Sequence, residues 1–122
     1  MNRLRHLIVV IVLVLLAQSA ALAQSYPPPW PRDGVKKVFE NDRVIVWEVE
    51  WLTEPTGMHE HRYDLVVITT RTGTIGITTP DGKTITLEAK AGDVGFQAAG
   101  VIHDEHSMSD PARTAMVIEL KD

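Results

Sequence analysis

Thr74-Ile75-Gly76-Ile77-Thr78-Thr79-Pro80-Asp81-Gly82-Lys83-Thr84-Ile85-Thr86-Leu87-Glu88 reads as two strands and the turn that joins them. Ile75, Ile77, Ile85 and Leu87 alternate with threonines, which is the period of a β-strand with one apolar face. Pro80-Asp81-Gly82 between the runs is a hairpin signal: proline presets one turn dihedral, and glycine accepts the left-handed one. The same texture extends outward in both directions. Val35–Phe39, Arg43–Leu52, Leu65–Thr72, Val94–Gln97, His103–Ser109 and Arg113–Leu120 are short runs rich in Val, Ile and Thr. They are separated by Asn41-Asp42, Thr53–Gly57, Ala91-Gly92-Asp93 and Asp110-Pro111. Within the second run Ile45, Trp47, Val49 and Trp51 share one face, so both tryptophans belong to the core. No segment has a helical period. About eight short strands at regular spacing predict an all-β sandwich or barrel.

The chain of 122 residues has room for one core. It contains no cysteine, which excludes disulfides, thiolate zinc sites and cysteine nucleophiles. The N-terminus has a different character. Arg3 and Arg5 precede the apolar run Leu7–Ala17, and Ala21-Leu22-Ala23 has the small-x-small form of a signal-peptidase site. The run is eleven residues, where spanning a bilayer takes about twenty. Residues 1–23 are therefore expected to be a cleaved Sec signal peptide, leaving a periplasmic or secreted protein with no membrane insertion after cleavage. Residues 24–34, with Pro27, Pro28, Pro29 and Pro31, are expected to form an extended arm from which Trp30 packs on the body. Residues 35–122 form the single domain. Loss of the leader leaves ten basic against sixteen acidic residues, a net charge of −6. A small acidic domain is a poor partner for nucleic acid. No phosphate-binding glycine loop and no paired serine or cysteine nucleophile is present.

The chemistry concentrates in Gly57-Met58-His59-Glu60-His61-Arg62-Tyr63-Asp64. Residues two apart on a strand point the same way, so His59 and His61 project side by side as two ligands of one ion must. His103 lies forty-two residues beyond His61 and joins them only through the fold. Imidazoles with a carboxylate suit borderline cations such as Fe, Zn, Ni or Mn. Asp64 is the carboxylate just after the pair, and a β-bulge after His61 is needed to turn it to the histidine face. Tyr63 shares the parity of the histidines and is expected to line the pocket. His106 has the parity opposite to His103 and is expected outside the metal's reach. Asp104 and Glu105 are read as a solvated rim.

These residues resemble the cupin superfamily, whose double-stranded β-helix, a jelly-roll barrel of RmlC-like type, carries two short motifs. The second runs from Gly92 through Ala98-Ala99-Gly100 to His103, with Ala98 where proline is usual and Ser107 where asparagine is usual. In the first, His59-Glu60-His61 and Gly73 fit. Thr53 stands at the opening glycine, and Leu65 or Val66 at the glutamate. The run from His59 through Asp64 is similar to a subgroup that includes the beta-alanine degradation cupins. The resemblance implies a barrel with a metal centre open to a small organic ligand. Two functions follow from it: a metal-dependent oxygenase or isomerase of a small carboxylate-bearing metabolite, or a non-catalytic module that binds a small molecule or a metal. An isolated small jelly roll leaves sheet edges uncovered, so a homodimer is expected.

Overall fold

The computed structural model describes residues 25–122. The expected signal peptide, residues 1–23, lies outside the described residues. Nine strands and no helix make up this part: β1 (Val35–Glu40), β2 (Val44–Glu50), β3 (His59–Glu60), β4 (Asp64–Arg71), β5 (Gly73–Thr78), β6 (Thr84–Ala89), β7 (Val94–Gln97), β8 (Ile102–Ser107) and β9 (Thr114–Leu120). They form two sheets, ordered β1-β2-β9-β4-β7 and β3-β8-β5-β6. Every recorded pairing is antiparallel. The all-β architecture expected from the alternation, and the jelly roll that the resemblance implies, are what the chain forms. The quoted hairpin is β5–β6, with Ile75 opposite Leu87 and Ile77 opposite Ile85.

Alternation explains which side chains fill the space between the sheets. Along β9 Ala115, Val117 and Glu119 are buried while their neighbours are half-exposed. Leu65, Val49, Ile75, Ala115 and Val117 form the core with Trp51 and Trp30. Full burial of an aliphatic chain of this size contributes about 1.5–3 kcal/mol relative to leaving it in water. Glu119 is a carboxylate inside this layer and takes the Trp47 indole N–H at 2.6 Å. The arm is irregular, yet it is part of the core: Trp30 stacks on Trp47 with ring centroids 5.5 Å apart. The Pro27 carbonyl accepts the Glu60 N–H at 2.9 Å, which ties the arm to β3.

Two glycines meet demands that a side chain would oppose, one a close approach and the other a left-handed turn. A Cβ on Gly73 would lie 2.6 Å from the backbone nitrogen of Arg113. Gly100 turns the chain into β8 with φ of 91°, and its N–H bonds the His61 carbonyl at 2.8 Å.

Candidate metal centre

β3 and β8 lie side by side with His59 opposite His103. The pairing continues past the end of β3, because the His61 N–H bonds the Val101 carbonyl at 2.9 Å and Gly100 bonds back to His61. His61 therefore stays extended and shares the inward face of His59. On β8, His103 and Glu105 are also two apart, and both are buried. Two neighbouring strands thus contribute two inward side chains each. One ligating atom from each of His59, His61, His103 and Glu105 lies within 4.8 Å of all the others.

The atoms that converge are specific. Nε2 of His61 and Nε2 of His103 are 3.1 Å apart. Oε1 of Glu105 is 3.5 Å from Nε2 of His59 and 3.4 Å from Nε2 of His103. Ligands about 2.1 Å from one ion at tetrahedral or octahedral angles are separated by about 3.0–3.4 Å, so this spacing fits a single first-row metal. Nε2 of His59 is buried with no hydrogen-bond partner. A buried polar atom without a partner is costly, and a lone pair directed at a cation removes that cost. The donor set of imidazoles and one carboxylate suits Fe, Zn, Ni or Mn.

Surrounding groups orient these side chains. Nδ1 of His59 lies 2.9 Å from the Gly57 carbonyl, which fixes the proton on that nitrogen and leaves Nε2 free to ligate. The Trp51 indole donates to Oε2 of Glu105 at 3.1 Å, and Nη1 of Arg32 stands 3.5 Å from Oε1. Trp30 meets the His61 ring edge-on at 5.8 Å. Nδ1 of His61 is buried without a partner.

Electrostatics keep the set ready for a cation. Burial alone would raise the Glu105 carboxyl. The close approach of the His103 and His59 imidazoles and the charge of Arg32 outweigh it, and the group is held well below the ordinary 4.5. His61 is pushed down to about 3, first by burial and then by His103 and His59. It is neutral at physiological pH, as a ligand must be.

The structure brings His59, His61 and His103 together and leaves Asp64 out. No bulge follows His61. The chain instead crosses between the sheets at Arg62-Tyr63, and Asp64 opens β4 with its side chain in solvent, accepting the Ala99 N–H at 2.8 Å. Tyr63 is half-buried and is not among the described residues that line the cavity. His106 lies on the other face of β8, where its ring sits over Gly76. The reading of Glu105 as a rim residue is corrected: it is 6% exposed and supplies the carboxylate. The parity rule that pairs His59 with His61 pairs His103 with Glu105 equally well.

His103 and Glu105 also form part of the wall of a cavity of about 290 Å³ between the sheets. Val67, Ile75, Ile77 and Leu87 give it an apolar lining, and Gln97 and Arg113 add polar groups that the sequence reading did not single out. Their strand parity was available, but no neighbouring motif marked them.

No protein-family model and no curated protein matches the chain. Solved structures do. A cupin domain from Bordetella pertussis Tohama I superposes with a TM-score of 0.65 at 30% identity, covering 76% of this chain and 99% of that one. A cupin-2 domain protein from Shewanella frigidimarina gives 0.53 at 23% identity, over 88% and 92% of the two chains. An RmlC-like cupin with a double-stranded β-helix from Methanocaldococcus jannaschii gives 0.58 at 15% identity, over 82% and 92%. None of the three names the beta-alanine degradation subgroup. With the strand order, the paired histidines and a relative matched over nearly its whole length, the chain belongs to the cupin superfamily.

Proposed function

We propose that this chain is an exported metalloenzyme that holds one divalent transition metal on His59, His61, His103 and Glu105. Its substrate is a small carboxylate-bearing metabolite, and its chemistry is of oxygenase or isomerase type. The observation that carries the reading is the convergence of four buried ligating atoms within 4.8 Å, two of them, from His103 and Glu105, on the wall of a largely apolar cavity. A bound ion supplies Lewis acidity toward a carbonyl or carboxylate, or redox chemistry with dioxygen if it is iron.

The protein's own groups perform the rest. The Gly57 carbonyl holds the His59 ring in one tautomer, and Trp51 holds Glu105 in one orientation. Val67, Ile75 and Ile77 line the cavity beside His103 and Glu105, and a ligand seated on them would displace water and strengthen the electrostatic interactions there. Four protein ligands would leave two positions of an octahedral ion for water or substrate. Export is supported by the basic, apolar and Ala-x-Ala sequence of residues 1–23. Homodimerisation is supported by exposed apolar residues on the edge strands, Ile85 on β6 and Val94 and Phe96 on β7; a monomeric mass by light scattering overturns it.

The test is elemental analysis of untagged protein, wild type against His59→Ala. One metal per chain in the wild type, lost in the variant, supports the centre, and its identity selects the assay: oxygen consumption for iron, isomerisation for zinc or nickel. No metal in either protein after reconstitution overturns the metalloenzyme reading. Bound metal with a tight ligand and no turnover replaces the enzyme with a binding module.

A further inference from the structure

The metal centre makes no use of the one arginine among the described residues of the cavity wall. Arg113 precedes β9 with the inward parity of Ala115 and Val117, and is 6% exposed. Its guanidinium lies over the Trp51 ring at 4.6 Å. Nε and Nη2 both donate to one acceptor, the Thr69 hydroxyl, at 3.3 and 2.9 Å. No carboxylate is ion-paired with it among the described residues. A guanidinium has five N–H donors in a planar fork, so much of its capacity remains for the cavity whose wall it forms. Gln97 adds a second donor on that wall, since its amide nitrogen is buried with no partner.

Burying a cation without a counter-charge is expensive. Burial draws the Arg113 pKa down, against the pull of Glu105 and Asp93. The backbone nevertheless clamps the residue: Gly73 closes on its nitrogen, and its carbonyl accepts the Trp51 N–H at 3.2 Å. A fork held rigid and unpaired on an apolar cavity wall is an anion site, and carboxylates fit it with two parallel hydrogen bonds. About 290 Å³ is the low end of ligand pockets and admits on the order of ten heavy atoms. Glu88 and Asp93 at the same cavity disfavour a dianion.

We propose that Arg113 is the carboxylate subsite of this cavity, and that the ligand is a small monocarboxylate with a short apolar body. Its far end lies toward His103 and Glu105, and only this last point rests on the metalloenzyme reading. The fork fixes one end of the ligand so that the other presents a single face to His103 and Glu105, which gives the site orientation as well as affinity.

The experiment titrates propanoate, propanamide and inorganic phosphate into metal-free and zinc-loaded protein, followed by calorimetry and by the Nε–Hε resonance of Arg113. Propanoate is expected to bind and to move that resonance in both forms, with propanamide inert and phosphate weaker. Arg113→Gln is expected to bind propanoate at least about tenfold more weakly, with zinc content equal to wild type. An unmoved Arg113 resonance, or equal propanoate affinity in Arg113→Gln, overturns the proposal, and retained zinc then leaves the metal centre standing. Phosphate binding as tight as propanoate overturns the monocarboxylate assignment. Propanoate on Arg113 in a protein that takes up no metal supports the subsite and overturns the metal centre instead. Should Arg113→Gln fail to fold, the wild-type resonance decides alone.

Discussion

His103 and Glu105 stand two residues apart on β8 and turn to the same face, so that Nε2 of one lies 3.4 Å from Oε1 of the other. This pair faces His59 and His61 across the β3–β8 ladder and completes the set of four. The carboxylate of the centre thus comes from the strand that carries the third histidine. The position where the resemblance expects a glutamate is occupied by Leu65, 1% exposed in the core, or by half-buried Val66.

Glu105→Gln is expected to weaken metal binding by at least about tenfold, because the neutral amide no longer offsets the cation's charge. Asp64→Asn is expected to leave metal affinity unchanged, since Asp64 serves only the Ala99 N–H at the surface. Competition against a chelator of known affinity measures both. Equal losses in the two variants would return Asp64 to the centre.

Most of the fold was legible because its signals are local. The β5–β6 hairpin follows from alternating apolar residues around a proline–glycine turn, and β9 from a run that is apolar from Ala115 to Leu120 except at Glu119. The histidines were legible because parity on one strand needs no knowledge of the other. Asp64 was misplaced because the chain changes sheets at Arg62-Tyr63, and no periodicity within eight residues records a crossing. Glu105 was available by parity, but an Asp104-Glu105-His106 run looks solvated until β8 is known to lie between β3 and β5. Arg113 carried no local mark. Its burial depends on Gly73, Thr69 and Trp51, which only the folded chain gathers.

The metal-free protein is expected to lose stability in acid over a defined window. The pKa of His61 falls from 6.5 when unfolded to about 3 when folded, so between those values the unfolded chain binds the extra proton. Stability therefore falls as pH drops from about 6.5 toward 3. Glu105, held below its ordinary 4.5, acts in the same direction, because its stabilisation is present above that value and is lost below it. Melting temperature against pH, wild type against His61→Gln, checks this. The variant should show a shallower slope between pH 6.5 and 4.5, and identical slopes would contradict the burial of a neutral His61.

Gly73→Ala forces a methyl group to 2.6 Å from the Arg113 backbone nitrogen. Overpacking of this kind costs about 1–3 kcal/mol, and here the obstacle is main chain that cannot rotate away. Urea denaturation is expected to show that loss with an unchanged m-value. Gly95→Ala, where a Cβ meets nothing within 4 Å, is the matched control and should cost far less.

Trp30 tests whether the arm is a spacer or a wall. Its ring is 8% exposed, stacks on Trp47 and abuts the edge of His61. If the arm were only a link to the leader, Trp30→Ala would leave both stability and the histidine environment unaltered. The packing instead predicts a loss of about 3–5 kcal/mol, the usual cost of deleting a buried Trp side chain. It also predicts a changed His61 signal in the histidine NMR spectrum, with His106 unmoved because it lies on the opposite face of β8. Removing Trp30 opens His61 to water and relieves the burial that keeps it neutral, so its pKa should rise from about 3 toward its ordinary 6.5. Metal uptake in the variant should then be displaced to higher pH, because protons compete longer for the same nitrogen.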